Sequence, residues 1–320
     1  MKAICASLPV LLYLSAFAQA QSATPTSTNA PPPNLDVRMI RMKLSAGDLP
    51  SAESILEYHR AEHGEDADYV LGVSWVARGA ALVQDWNAAL KCAKEARRLS
   101  ESKLRAPADY QTQNEAVYAL GTAIEVEAQS LVASGKKHQA LGFLDASQKA
   151  QELAGAPFNL RARIWKRRNQ IDLVGRKAPA FGIDDHLGTQ VPALASLRGK
   201  PVILFFWWEA CGDCKMQASA FRNVVEKYNG KGVSFVAVTR FYEKPEARAA
   251  EKERIQKAWS DVYGLAGVVP VLISDEAMLR YGVSATPTFA ELDSQGVVRM
   301  CSPTRMTGER LTAEIEKMVR

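Results

Sequence analysis

The chain has 320 residues, of which 47% are hydrophobic and 23% are charged, and its formal net charge is +5. This length suggests about two domains, and the hydrophobic fraction is ample for apolar cores. The small excess of positive charge gives no reason to expect a nucleic acid partner. The five cysteines are too few for a fold that depends on disulfides, so each one needs its own explanation.

The first twenty residues have the pattern of a secretory signal peptide. Lys2 precedes an apolar run from Leu8 to Phe17, and the small-residue sequence Ala18-Gln19-Ala20 follows as a cleavage site. The apolar run is short for a spanning helix, which needs about 20 apolar residues. We therefore expect residues 1–20 to be removed and the protein to be periplasmic or secreted, with an uncleaved membrane anchor as the alternative. Residues 21–35 are rich in Ser, Thr, Ala and Pro and are predicted to form a disordered tether.

Residues 36–171 have a helical pattern with small residues at recurrent positions. In three places a turn is followed five residues later by an alanine: Gly47 and Ala52, Gln84 and Ala89, and Gly135 and Ala140. Small residues at such offsets let antiparallel helices approach closely. The pattern resembles the tetratricopeptide repeat, although the alanines are 37 and 51 residues apart instead of about 34. We predict an all-α helical-repeat domain that binds or positions a protein partner; an ordinary helical bundle is the alternative.

Residues 172–320 alternate between strand and helix patterns. The run from Val202 to Trp207 is apolar on both faces, as a central strand is when helices cover both sides of the sheet. The other predicted elements are helices at 213–228, 245–263 and 308–318, a short helix ending at Tyr281, strands at 233–238, 269–273, 286–292 and 297–300, and a hairpin turn at 185–189. This order predicts an α/β domain with a mixed sheet flanked by helices.

Cys211 and Cys214 lie where the predicted central strand gives way to a helix. The unpaired N–H groups and the positive end of the dipole at a helix start stabilise a thiolate, so Cys211 is expected to have a lowered pKa and to act as the nucleophile. Cys214, one turn deeper, is expected to resolve the mixed disulfide. Structural zinc also uses Cys-x-x-Cys, but no second pair or nearby histidine offers the two further ligands. We expect no metal and no cofactor.

The cysteine pair at a helix start and a Thr-Pro before a strand about seventy residues later together resemble the thioredoxin fold. The segments 175–181, 197–200 and 281–288 are similar to those of the TlpA-like branch of this fold, whose members are extracytoplasmic thiol-disulfide reductases. The resemblance covers about residues 173–320. It implies that Pro287 is a cis-proline beside the sulfurs.

The resemblance implies a role for Thr286 as well, since its backbone would be offered to an incoming peptide. We therefore predict the catalytic residues Cys211, Cys214 and Pro287. We predict the substrate-binding residues Thr286, Trp207, Trp208 and Asp213. Ala210 replaces the Trp that usually precedes the nucleophile, so we expect a remodelled substrate surface.

Two positions depart from the family pattern beneath the cysteines. Phe205 occupies the strand position where thioredoxins have a buried Asp, and Gln217 occupies the helix position where some TlpA-like reductases have a catalytic Glu. Neither side chain can accept a proton as a carboxylate would. Resolution is therefore expected to be slow unless Asp213, Glu209 or water helps Cys214 to lose its proton.

Asp213 also bears on the direction of the reaction. A carboxylate about 6 Å from a thiolate opposes it by roughly 1 to 3 kcal/mol at an effective dielectric of 20 to 40. A less stabilised thiolate favours the disulfide form and makes the couple more reducing. No histidine lies between the cysteines, unlike the strongly oxidising members of the fold. These features predict a reductase or isomerase.

The sequence thus predicts an extracytoplasmic thiol-disulfide oxidoreductase whose partners are a disulfide-bearing protein substrate and a thiol electron donor. One alternative is a helical-repeat binding protein with a low-activity thioredoxin domain. Peroxidase or copper-delivery relatives of the fold are a third class. Peroxide reduction would require Pro and Thr at Leu204 and Trp208, and copper delivery usually adds a residue between the cysteines and a distant histidine. Cys92 and Cys301 are interpreted as small buried hydrophobes, with an interdomain bridge or a resolving role as alternatives.

Overall fold

The computed structural model describes residues 35–188, 197 and 199–319. The predicted signal peptide and residues 21–34 of the predicted tether lie outside the described residues, as does residue 189 of the predicted hairpin turn. Within the described ranges, no helix combines the length and the apolar character needed to cross a bilayer.

The N-terminal region is mostly helical, as predicted. Its helices are α1 (Leu35–Ser45), α2 (Leu49–His63), α3 (Ala67–Leu82), α4 (Trp86–Lys103), α5 (Asp109–Thr112), α6 (Asn114–Ala133), α7 (Lys137–Leu153) and α8 (Phe158–Leu173). Asp48, Asp66 and Asp85 cap the N-termini of α2, α3 and α4, because each carboxylate accepts a backbone N–H three residues further along the chain.

Small residues determine how closely these helices pack. Gly47, Gln84 and Gly135 have φ angles of 78°, 63° and 74°, so each predicted turn contains a residue in the left-handed conformation that ends a helix. The alanines five residues after these turns are fully buried at 0% exposure: Ala52, Ala89 and Ala140. The predicted turns and close helix contacts are therefore present, while the assignment to the tetratricopeptide repeat stays a prediction.

The C-terminal region is built around a mixed six-stranded sheet, which confirms the predicted α/β class. Its strands are β1 (Asp185–Leu187), β2 (Val202–Phe206), β3 (Ser234–Thr239), β4 (Val271–Ile273), β5 (Thr288–Leu292) and β6 (Val298–Ser302). The strand order is β1-β4-β3-β2-β5-β6. Strands β2, β3 and β4 are parallel, and β1, β5 and β6 are each antiparallel to a neighbour.

Helices cover both faces of this sheet. They are α9 (Gly212–Tyr228), α10 (Arg248–Ala258), α11 (Asp275–Arg280) and α12 (Gly308–Val319). One face packs side chains of α9, α10 and α12 against alternate residues of the central strands, and it is rich in aromatic rings. The other face packs against α11 and the residues that follow α8. Every residue of β2 is buried, as expected for a strand with helices on both sides.

Several elements differ from the prediction in type or bounds, among them β4, which begins at Val271, and β6, which ends at Ser302. Asp185–Leu187, interpreted as part of a hairpin turn, is an edge strand paired antiparallel with β4. The helix predicted at 245–263 is a 3-10 turn, then α10, then a π-helical turn at Trp259–Tyr263. Strand β5 begins at Thr288 and not at residue 286, because Pro287 has no backbone N–H to donate to the ladder.

The two regions are in direct contact. Helix α8 packs against β6, and Gly282 lies so close to α8 that a Cβ at this position would collide with the backbone carbonyl of Lys166. The φ angle of Gly282 is 62°, which also favours glycine. Lys137 of α7 donates through Nζ to the backbone carbonyls of Asp172 and Val174, at the end of α8.

Candidate active site

The two cysteines lie at the carboxyl end of strand β2, where helix α9 begins. The N–H of Trp207 donates to the carbonyl of Val238 at 2.9 Å, which ties the end of β2 to β3. The N–H of Cys211 donates to the carbonyl of Trp208 at 3.1 Å and closes a tight turn before the helix. Cys211 is the N-cap residue of α9, and Cys214 lies in its first turn. The structure therefore places the pair at the strand-to-helix junction that the sequence predicts.

The Cys211 sulfur has surroundings that stabilise a thiolate. It accepts the N–H of Cys214 at 3.3 Å, and in the thiol form it donates to the carbonyl of Thr286 at 3.4 Å. A hydrogen bond from the Cys214 side chain is the largest influence and, with help from Thr286 and the Cys214 N–H, outweighs burial and lowers the pKa of Cys211 to about 7. A large fraction of the half-buried Cys211 sulfur is therefore ionised at neutral pH.

Cys214 has the opposite properties. Its side chain is fully buried, and this burial, together with the hydrogen bond to Cys211, raises the pKa of its thiol well above the ordinary value. The hydroxyl of Tyr263 donates to the Cys214 carbonyl at 2.9 Å and ties the first turn of α9 to the π-helical turn. Both cysteines are free thiols. The site thus combines one accessible acidic thiol with one buried thiol of high pKa.

The Thr286–Pro287 segment forms the wall opposite the cysteines. The peptide bond between these residues is cis, as the family resemblance implies, and Pro287 is buried. The Thr288 hydroxyl donates to the carbonyl of Ala285 at 2.7 Å and closes the turn before β5. This turn holds the Thr286 carbonyl against the Cys211 sulfur.

The two tryptophans before the cysteines occupy different environments. Trp207 is fully buried and packs against the rings of Trp259 and Tyr263, with centroids 5.0 and 5.1 Å away. A substrate cannot reach Trp207 there, so the prediction that it binds substrate is wrong. Trp208 is half-buried and packs against Tyr242, with ring centroids 4.9 Å apart and ring planes tilted by 33°. Trp208 and Tyr242 together form an aromatic surface beside the cysteines, and the sequence analysis did not identify Tyr242.

The residues beneath the cysteines provide no carboxylate at the two family positions. Phe205 is fully buried and stacks on Phe221, with centroids 4.5 Å apart. Gln217 is buried, and its side-chain amide donates to the carbonyl of Met306 and accepts the N–H of the same residue, at 3.0 and 2.8 Å. Gln217 therefore holds the segment after β6 against α9, and its neutral amide cannot take a proton from Cys214 as a carboxylate would.

The two carboxylates considered as substitutes each lie beside an arginine. Asp213 Oδ1 is 3.7 Å from Arg305 Nε, and Glu209 Oε1 is 3.8 Å from Arg254 Nε. Burial raises the pKa of Glu209. The Asp213 carboxylate raises the pKa of Cys211 less than burial does. The positive charge of Arg305 thus partly offsets the negative charge of Asp213, which the sequence analysis expected to oppose the Cys211 thiolate.

Two arginines near the site were missed by the sequence analysis. Arg305 follows β6 and also donates through Nη2 to the carbonyl of Ser45, at the end of α1, at 3.0 Å. Arg78 of α3 interacts electrostatically with both Asp213 and Cys211. No local motif marks either arginine, since Arg305 meets Asp213 through the fold of the C-terminal region and Arg78 acts on the site from α3, far away along the chain.

The remaining cysteines lie away from this site. Cys92 packs between helices of the N-terminal region, and burial raises the pKa of its thiol to about 11. Cys301 lies on β6, where burial raises its pKa to about 12. Both are free thiols of low reactivity at neutral pH, in keeping with their interpretation as small packing residues.

Comparison with known proteins places this site in a family context. Residues 174–301 match the model of the AhpC/TSA family. The thiol-disulfide oxidoreductase ResA of Bacillus anthracis is 28% identical over 145 residues, which cover 45% of this chain and 78% of that protein. The thioredoxin-like protein YneN of Bacillus subtilis is 27% identical over 143 residues, with coverage of 44% and 78%.

A solved structure shows similarity over the same share of the chain. It is a putative thiol:disulfide interchange protein DsbE from Chlorobium tepidum, which is 25% identical, covers 46% of this chain and 96% of its own, and has a TM-score of 0.37. The family-model match and the ResA and YneN relatives support a thioredoxin fold of the TlpA-like kind in the C-terminal half, and the prediction of a thiol-disulfide oxidoreductase is confirmed at the level of enzyme class.

Proposed function

We propose that this protein is an extracytoplasmic thiol-disulfide oxidoreductase that reduces or isomerises protein disulfides through Cys211 and Cys214. The observation that carries the proposal is the asymmetry of the pair. Cys211 is half-buried with a pKa of about 7, while Cys214 is fully buried with a raised pKa. An exposed thiolate can attack a substrate, and a protected thiol beside it can complete the reaction within the same molecule.

The reaction balances with these two thiols and a substrate disulfide. The Cys211 thiolate attacks one sulfur of the substrate, the substrate disulfide breaks, and its other sulfur leaves as a thiolate that takes up a proton. Cys214 then loses its proton and attacks the Cys211 sulfur, which releases the second substrate thiol and forms the Cys211–Cys214 disulfide. The substrate gains two electrons, and a thiol electron donor restores the enzyme.

The surroundings of Cys211 support the reducing direction. Strongly oxidising members of the fold have a nucleophile with a pKa of about 3.5, whereas a pKa of about 7 is typical of reducing members. The pKa of Cys211 is about 7. This value supports a reductase or isomerase more directly than Asp213 does, since Arg305 lies beside that carboxylate.

The substrate surface is proposed from the groups that reach solvent beside Cys211. Thr286 would present its backbone to an extended peptide, with Pro287 as the wall behind it, and Trp208 and Asp213 would flank the peptide. The N-terminal pattern of a basic residue, an apolar run and small residues supports export of the chain and cleavage after Ala20. N-terminal sequencing of the exported protein should then begin at Gln21.

The helical region is proposed to form a separate domain over residues 36–171, with a thioredoxin-like domain at 172–320. Its role would be to bind or position a protein partner. A second candidate function is a helical-repeat binding protein with a slow thioredoxin domain. The apolar environment beneath Cys214 favours it, because such surroundings do not help this thiol to lose its proton. Phe205 and Gln217 leave no proton acceptor at the two family positions, so resolution by Cys214 is expected to be the slow step.

A disulfide-reduction assay with single cysteine variants tests the proposal. Cys211→Ser should abolish reduction, because no nucleophile remains at the helix start. Cys214→Ser should accumulate a mixed disulfide between Cys211 and the substrate, which mass spectrometry can identify. Cys301→Ser is the matched control, since it removes a thiol that lies outside the site, and it should retain wild-type activity.

Two results would contradict the proposed enzyme. Equal activity of the wild type and Cys211→Ser would remove Cys211 from the reaction. Absence of reduction in the wild type, with a folded protein that still captures a partner through its helices, would support the binding protein instead.

A further inference from the structure

A cavity lies where the N-terminal helices meet the segment after strand β6, and it is called the junction cavity here. It is lined by side chains from α3, α6 and α8 and by the segment after β6, among them Arg78, Glu125, Gln129, Arg167, Pro303 and Thr304. Both halves of the chain therefore contribute to its walls. Its volume of about 20 Å³ is enough for one or two water-sized groups.

The charged groups around the junction cavity are unbalanced. Glu125 accepts a hydrogen bond from Arg163 at 2.7 Å and lies 3.6 Å from Arg167. Burial would raise the pKa of Glu125, but these two arginines outweigh it and lower the pKa to about 2. Arg78 contributes a third guanidinium that acts on Glu125. Three positive charges thus surround one negative charge, and an uncompensated charge in a buried place is unfavourable unless a counter-ion is available.

Two of these arginines have donors available. Arg78 makes no hydrogen bond or ion pair with the residues that the structure describes; its guanidinium carbon lies 5.7 Å from the ring centre of Trp75. The side chain of Arg167 is only 4% exposed, and its Nε has no acceptor among the described groups. A guanidinium presents its N–H groups in a planar fork that matches a carboxylate. Arg167 donates through Nη1 to Gln170 Oε1 at 2.6 Å and pairs through Nη2 with Glu125, so Nε is its remaining donor. The guanidinium of Arg78 therefore supplies the planar fork that a carboxylate needs, and Arg167 adds one buried donor.

The junction cavity is also close to the nucleophile. Arg78 acts electrostatically on Cys211 and Asp213 as well as on Glu125. Thr304 lines the cavity, and the next residue, Arg305, lies beside Asp213. The junction cavity thus shares Arg78 and the segment after β6 with the surroundings of Cys211, where a substrate disulfide must bind.

We propose that the junction cavity binds a carboxylate of a disulfide-bearing peptide substrate, with Arg78 and Arg167 as the recognising groups, and so presents acidic substrates to Cys211. This inference rests on the proposed function, because the bound peptide is the substrate of the cysteine pair. The carboxylate could belong to an Asp or Glu side chain or to a peptide C-terminus. The N-terminal helices would then contribute specificity and not only a scaffold.

Matched peptide substrates test this inference. One disulfide-bonded peptide carries Glu residues beside its cystine, a second carries Gln at the same positions, and each is made with a free and with an amidated C-terminus. We expect the wild type to reduce the Glu peptide with a lower KM than the Gln peptide. Arg78→Gln should raise KM for the Glu peptide about tenfold relative to KM for the Gln peptide, which corresponds to about 1.4 kcal/mol; a change that both peptides share would reflect the interaction of Arg78 with Cys211. Dependence on the free C-terminus alone would identify the terminal carboxylate as the bound group.

Controls separate recognition from other effects. Arg41→Gln removes an exposed guanidinium that packs over Trp75 outside the cavity, and it should preserve the preference for the Glu peptide. Thr304→Leu should narrow the cavity from the opposite side and weaken the same preference without removing a charge. An equal loss for Glu and Gln peptides in Arg78→Gln, or no preference in the wild type, would overturn the inference.

Binding can be measured apart from turnover. A Glu peptide with both cysteines replaced by serine should bind the wild type in calorimetry and bind Arg78→Gln about tenfold more weakly, an effect of one such charge-assisted contact. If no peptide is reduced but this binding persists, the proposed enzyme fails and the carboxylate site stands. If peptides are reduced but this binding is absent, the carboxylate site fails and the enzyme stands.

Discussion

The two halves of this chain bury different kinds of side chain. The C-terminal half packs aromatic rings beneath the cysteines. Around Phe205, for example, the ring centroids of Phe221, Phe289 and Tyr263 all lie within 5.7 Å of its own. The N-terminal half packs its helices through alanines and buries an ion cluster around Glu125. The half with the reactive thiols thus has an aromatic core beneath them, although it also buries Glu251 and Glu291, while the other half buries a cluster of paired charges.

This difference explains the electrostatics of the site. The aromatic core raises the pKa of Cys214 by burial and supplies no carboxylate at the family positions. The positive charges near Cys211 come instead from Arg78 of α3 and from Arg305, which is bonded to the end of α1. The properties of the cysteine pair therefore depend on groups from both halves.

The largest expected effect is on the aromatic core. Phe205→Ala should lower the free energy of unfolding by about 3 to 5 kcal/mol, because it removes a fully buried ring and leaves a cavity. Phe158→Ala makes the same change at a side chain that is 76% exposed, and it should change stability by about 0.5 kcal/mol or less. Urea unfolding followed by circular dichroism measures both, and similar losses for the two variants would contradict the aromatic core as the source of stability.

A slightly smaller effect is expected in the ion cluster. Glu125→Gln should cost about 3 kcal/mol, since removing one partner leaves buried arginines without their counter-charge. This loss of unfolding free energy is at the low end of about 3 to 5 kcal/mol for a broken buried ion pair, because Arg163 keeps its hydrogen bond to the Thr122 hydroxyl at 3.2 Å. Glu57→Gln on the exposed face of α2 is the control in the same unfolding experiment. An unchanged stability of Glu125→Gln would show that the buried charge does not stabilise the helical half.

The smallest expected effect concerns the pH dependence of Cys211. Alkylation of Cys211 by iodoacetamide, located by mass spectrometry, should become faster as the pH rises through about 7 and then level off. Asp213→Asn should shift this midpoint downward by about half a unit or less, because it removes a nearby negative charge that opposes the thiolate. Asp261→Asn, far along the chain in an exposed ion pair, should leave the midpoint in place. A wild-type midpoint near 9, the ordinary value for a thiol, would contradict the hydrogen bonding described for Cys211.

Much of the fold could be predicted from local patterns. The apolar run from Val202 predicts a buried strand, the Cys-x-x-Cys pair marks the start of α9, and the turns at Gly47 and Gly135 separate the helices. The edge strand β1 could not be predicted in this way. Its three residues have no alternating pattern of their own and become a strand only because β4 offers an unpaired edge.

The candidate site divides in the same manner. Residue types and spacing were enough to predict Cys211 as the accessible sulfur and Cys214 as the buried one, because a helix start is a local feature. The cis-proline Pro287 beside them was implied by the family resemblance. The burial of Trp207, the half-buried position of Trp208 and the approach of Arg305 to Asp213 depend on packing within the C-terminal half. The approach of Arg78 depends on how the two halves pack together. Electrostatic interactions act through space and not along the chain, so the charges that surround the cysteine pair became visible only in the folded molecule.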